Sequence, residues 1–157
     1  MKPSTARAFA SRRRAHSRVP GPESLSLGSL GGITRTVHSK DQDDIQFLSR
    51  IVGEQLSAVV FVQDYLQLQF DGPTLTLLTP ISVRSSSGGV VTEREAGWRD
   101  TLCAQITCIV QAIRIADGDL IVDFDDGSAI CVSIRPEDYR CAEAVHLVED
   151  GRVSVVF

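Results

Sequence analysis

This 157-residue chain is short of the residues on which most site chemistry depends. No run of 18 apolar residues occurs, so no membrane-spanning helix is expected. Histidine appears only at positions 16, 38 and 146, which leaves little for an acid–base relay. The four cysteines, Cys103, Cys108, Cys131 and Cys141, include no closely spaced pair of the kind that grips structural zinc. Nor does any Gly-x4-Gly-Lys-Ser/Thr order cradle a phosphate; Ser85-Ser86-Ser87-Gly88-Gly89 shares only its composition and reads as a flexible loop. No cofactor is expected.

What is present is charge, unevenly spread. The formal charge of −4 conceals a basic residue run at 1–40, where eight bases face one acid, Glu23, for a net +7. Over 41–157, eight bases face 19 acids, for a net −11. Apolar residues in 1–40 follow no helical or alternating period, the mark of a segment that cannot repay its ordering entropy, so a disordered tail is predicted. Arg12-Arg13-Arg14 lacks the apolar stretch an export signal needs. A transit segment fits the Arg- and Ser-rich composition, although Pro20 and Pro22 would break its helix, and a basic arm touching phosphate is the remaining reading of the tail. A cytoplasmic location follows from the lack of an export signal, and a reducing compartment disfavours disulfides. Cys108 and Cys131 stand in apolar strand contexts, so they form the cross-strand pair to test.

From residue 41 the patterns become regular. Asp41, Asp43 and Asp44 precede Ile45, Leu48 and Val52 at helical spacing, predicting a helix over 42–52. Leu66-Gln67-Leu68-Gln69-Phe70 alternates strictly and Asp71-Gly72 supplies a tight turn, with a return strand over 74–83 bent at Pro80. Thr92-Glu93-Arg94-Glu95 fits a capping box opening a second helix through Trp98 and Leu102. Strands are then expected over 106–115, 120–124 and 129–134, and a closing hairpin over 143–157. The segment from Gln55 matches that from Gln105 at an offset of 50, whereas Leu66, Phe70 and Asp71 match Leu120, Phe124 and Asp125 at 54. An internal duplication, about 42–83 and 92–134, is the reading adopted. The fold expected is α+β: a mostly antiparallel β-sandwich or small barrel from two similar halves, with one or two short helices, burying Leu66, Leu68, Phe70, Leu120, Val122 and Phe124 together.

This layout, with Leu66–Gly72 repeated as Leu120–Gly127 and followed by Arg135-Pro136-Glu137-Asp138-Tyr139, resembles small uncharacterised bacterial proteins of duplicated β-hairpin build. The resemblance implies an immunity or accessory role and carries no active site. Two function classes emerge. The first is a non-enzymatic module that binds another protein, its acidic domain steering encounter with a cationic surface, and Trp98 with Arg94 and Arg99 as anchors. The second is a divalent-metal-dependent domain or enzyme using Asp123, Asp125 and His146, since strand residues two apart project their carboxylates from one face about 7 Å apart. Unpaired strand edges would let two copies pair as a homodimer. Neither a membrane nor, outside the basic tail, a nucleic acid is an expected partner.

Overall fold

A computed structural model describes residues 39–157. Helix α1 (Ser39–Leu48) continues into a 3-10 turn at Ser49–Ile51, and both Leu48 and Ile51 are fully buried. The helix therefore begins three residues before the predicted 42 and takes in the last two positions of the predicted tail. The rest of that tail, with His16 and His38, lies outside the described residues.

Ten strands follow among the described residues. They are β1 (Leu56–Phe61), β2 (Leu66–Phe70), β3 (Thr74–Leu77), β4 (Ile81–Arg84), β5 (Val90–Thr92), β6 (Val110–Ala116), β7 (Asp119–Phe124), β8 (Ala129–Ser133), β9 (Val145–Glu149) and β10 (Arg152–Val156), with helix α2 (Trp98–Cys103) between β5 and β6. They form two antiparallel five-stranded sheets in the orders β1-β2-β3-β9-β10 and β5-β4-β8-β7-β6. The chain is thus an α+β sandwich with two short helices. Strict alternation builds its inner face: Leu66, Leu68 and Phe70 of β2 are buried while Gln67 and Gln69 are half-buried. Leu120, Val122 and Phe124 of β7 join the same core. Burial of side chains this size contributes roughly 1.5–3 kcal/mol each.

Two predicted strands are redrawn. The single strand expected over 74–83 is really β3 and β4, which belong to different sheets. Pro80 supplies no N–H and cannot continue a ladder, and Leu78 and Thr79 turn instead to the partner segments, the Leu78 N–H donating to Ala144 O and the Thr79 hydroxyl to Ser133 O. The strand expected from 106 starts only at Val110, because residues 104–108 prolong α2 through turn hydrogen bonds, and Thr107 takes φ +81°. The loop over 85–89 is a hairpin turn, with the Ser85 N–H donating to Gly89 O, and it leads to β5, too short at three residues for alternation to reveal.

The correspondence between halves changes accordingly. Gln55 and Ile109 form an isolated antiparallel bridge that joins the sheets at one end. Around it the bonds come in matched pairs: Leu56 N–H to Cys108 O and Val110 N–H to Glu54 O, both 3.0 Å; Thr107 N–H to Leu56 O and Gly53 N–H to Val110 O, both 2.8 Å. Each bond maps on its mate at an offset of 54. The Leu56–Phe70 and Val110–Phe124 pairs repeat that offset, each followed by a register shift. The offset of 50 read from the sequence aligned a strand with a turn. Beyond β3 and β8 the strands change places: β4 pairs with β8, and β9 with β3.

The outer edges are β5 and β10, where Val90 and Val153 are 58% and 62% exposed. At the tip of the β9–β10 hairpin, Asp150 and Gly151 take φ +50° and +73°, the pair a tight turn between twisted strands requires.

Leu48 and Leu102 stand at equivalent places on the two helices and are both fully buried. Leu48→Ala or Leu102→Ala should each cost about 2–5 kcal/mol, measured as a lower urea midpoint with unchanged slope. Val153→Thr on the exposed edge should stay within about 0.5 kcal/mol of wild type.

Candidate functional site

Where the chain passes from one sheet to the other, the side chains leave a groove. It consists of a cavity of about 360 Å³ and one of about 160 Å³ that share Ile81, Glu93 and Arg140 as walls. The smaller cavity is aromatic. Phe61, Val62 and Tyr65, at the β1–β2 turn, are 41%, 37% and 37% exposed and form its rim. Trp98 lines it and is itself buried. The rings of Phe61 and Trp98 meet edge to face, 5.9 Å between centroids and 73° between planes. Such pairs contribute about 0.5–1.5 kcal/mol beyond their burial.

The sequence between β5 and α2 places Trp98. The Glu95 carboxylate accepts the Thr92 N–H, one half of the predicted capping box, and this bond holds the carboxyl below its ordinary value. The box closes a turn, however, and does not start the helix. Gly97, at φ +83°, is the residue that precedes α2, and its carbonyl accepts the Thr101 N–H and hydroxyl. The Trp98 Nε1–H is buried and has no acceptor among the described residues. A buried donor left in this state costs about 1–3 kcal/mol.

Four of the eight arginines in 41–157 line the groove: Arg94, Arg99, Arg135 and Arg140. Arg135 is held by Asp119 at 3.1 Å, Asp138 at 3.9 Å and the Asp117 carbonyl at 2.6 Å. Burial pushes the Asp119 carboxyl up, against the opposing pull of Arg135. Arg140 pairs with Glu93 at 3.2 Å. Arg99 lies over the Phe61 ring, 5.3 Å from its centroid, and neither it nor exposed Arg94 has a carboxylate partner among the described residues. Cys131 faces the larger cavity, its thiol pushed up by burial.

The three anchors predicted from sequence, Trp98, Arg94 and Arg99, therefore belong to one groove. Tyr65 and Arg140 were missed because the turn and loop that carry them have no periodicity to read, and Phe61 because it ends a strand whose pattern does not show what it faces. The predicted metal or catalytic set is not assembled. Asp123, on β7, is spent on two guanidiniums, Arg84 at 2.9 Å and Arg114 at 2.7 Å. Asp125 lies past the end of β7, in the turn, where its carboxylate accepts the Ile109 N–H, so the two do not share a strand face. His146 is on β9 of the other sheet, its Nε2 against the Glu143 carboxylate.

The cysteines also differ from the expected pairing. All four are free thiols, and Cys108 and Cys131 are not on neighbouring strands, since β8 lies between β4 and β7 while Cys108 precedes β6. Cys108 instead comes within 4.8 Å of Asp125 and Asp126. Burial and the two negative charges push its thiol up, away from the thiolate that a nucleophile or metal ligand needs. Comparison with models of protein families, with curated proteins and with solved structures gives no match.

Two expectations follow. Hydrogen bonds from the Ser128 hydroxyl and N–H hold Asp126 below its ordinary value of 3.8. A carboxyl lowered in the folded state adds stability that is complete above its unfolded value and is lost as pH falls through the folded one. Asp126→Asn should thus lower the melting temperature at pH 7, and the gap from wild type should close as pH falls below 3.8. Asp123→Ala, which removes the shared partner of Arg84 and Arg114, should cost about 0.5–1 kcal/mol in urea denaturation, because both guanidiniums keep access to water.

Proposed function

We propose that the protein is a non-enzymatic binding module whose partner is another protein, in an immunity or accessory role in the cytoplasm. The observation that carries this reading is the groove's composition. Three half-exposed side chains, Phe61, Val62 and Tyr65, gather beside Trp98 and unpaired Arg99, with unpaired Arg94 in the adjoining cavity. Trp, Tyr and Arg are the residues on which binding energy concentrates in protein interfaces. The dispersal of Asp123, Asp125 and His146 to separate partners favours binding over catalysis. The matched registers around Gln55 and Ile109 support a tandem duplication as the origin of the two halves.

The test is affinity capture by the full chain from lysate of its source cells, with native mass spectrometry of what is retained. One protein should be recovered in a defined stoichiometry. Phe61→Ala combined with Tyr65→Ala should reduce capture at least about tenfold with the fold intact by circular dichroism, as removal of hot-spot side chains does. Recovery of no protein at low salt, or undiminished capture by the double variant, would overturn the reading.

A further inference from the structure

The average charge of the domain points to a cationic partner, but the groove does not share that average. We infer that the groove receives an extended segment of the partner in which an aspartate or glutamate stands next to a large apolar side chain. This rests on the protein-binding reading above and adds to it the chemistry of what is bound.

Two observations converge on this occupant. The first is size. The smaller cavity, at about 160 Å³, suits one inserted side chain, and the adjoining cavity of about 360 Å³ leaves room for the residue beside it. Phe61, Tyr65 and Trp98 around it favour an aromatic or aliphatic one. The second is charge. Arg94 and Arg99 have no carboxylate partner among the described residues, and Arg140 has only Glu93, so guanidinium N–H groups face the groove unspent. Guanidinium matches a carboxylate with two parallel hydrogen bonds. Asp64, Glu93, Asp119 and Asp138 also line the groove, and their repulsion favours a singly charged carboxylate over a doubly charged phosphate.

The lining sets four arginines against four carboxylates, and the two guanidiniums left unpaired, Arg94 and Arg99, are what the groove offers an anion inside an acidic domain. A basic segment would meet Arg94 and Arg99 as like charges, so the surrounding acidity governs approach and the groove governs which segment is held.

The experiment is a selection of random heptapeptides displayed on phage against the immobilised full chain, followed by titration of synthetic winners. Trp98 is the only tryptophan, so its emission reports occupancy of the smaller cavity directly. Winners should pair Asp or Glu with Phe, Leu or Ile and change the Trp98 emission on binding. Arg94→Glu with Arg99→Glu should weaken them at least about tenfold. Arg94→Glu alone, at an exposed position that contributes nothing to the core, should weaken them about threefold or more, and Arg152→Glu on the far edge strand less than twofold. Winners lacking an acidic residue, winners bound equally well by the Arg94 and Arg99 variants, or an empty selection would overturn the inference. If a partner is captured from lysate and lost on removing Phe61 and Tyr65, yet is held equally by the arginine variants, the binding reading stands and this inference alone falls.

Discussion

The structure depends on strands from distant stretches of the chain completing each other's sheets. Neither three-stranded meander, β1-β2-β3 or β6-β7-β8, makes a whole sheet. The first is extended by β9 and β10, and the second by β4 and β5. Each sheet thus needs strands remote in sequence, and the apolar faces of β2 and β7 become one core. The crossing segments carry the polar burden of this arrangement. Thr79, buried, gives its hydroxyl to Ser133 O, and Leu78 and Ala144 bond through the backbone, so the chain changes sheets without leaving those groups unpaired. The bridge at Gln55 and Ile109 ties the β1 edge of one sheet to the β6 edge of the other at one point, and β5 and β10 are the edges at the other side.

The groove is a consequence of that arrangement. It opens where the chain crosses from β3 to β4, and its walls come from segments far apart in sequence: the ends of β1 to β5, the β5–α2 connection, β7 and β8, and the 3-10 turn at Pro136–Asp138 with Arg140 after it. Loops and strand ends on a rigid scaffold are the usual carriers of recognition. Half of the domain's arginines arrive there, although its net charge over 41–157 is −11. A mean charge describes the field at a distance and says little about a surface a few ångströms across, where pairing decides which charges remain available.

Legibility in the sequence followed the range of the interaction involved. Leu66, Leu68 and Phe70 were readable because alternation with period two is a local property and one wet face enforces it. Asp150-Gly151 was readable because a tight turn needs positive φ at neighbouring residues. The Asp123 and Asp125 pair was misread because alternation cannot say where a strand ends, and β7 stops at Phe124. Cys108 and Cys131 were misread because sheet order, not strand character, decides which strands are neighbours. Trp98, Arg94 and Arg99 stood out by residue type alone, while Phe61, Tyr65 and Arg140 gained meaning only from their company.

By itself, then, the sequence determined the class of fold, the inward face of the strands with the best alternation, most turns, and the split between a basic N-terminal stretch and an acidic domain. Each of these rests on neighbours in the chain. The tertiary structure alone decided that 74–83 would serve two sheets, that the Leu56–Phe70 and Val110–Phe124 registers would match at 54 residues, that Asp123 would be consumed by Arg84 and Arg114, and that Arg94 and Arg99 would stay without carboxylate partners among the described residues. Those outcomes depend on which distant segments meet, and that is set by burying two apolar faces against each other with every crossing hydrogen bond satisfied, a condition no local pattern records.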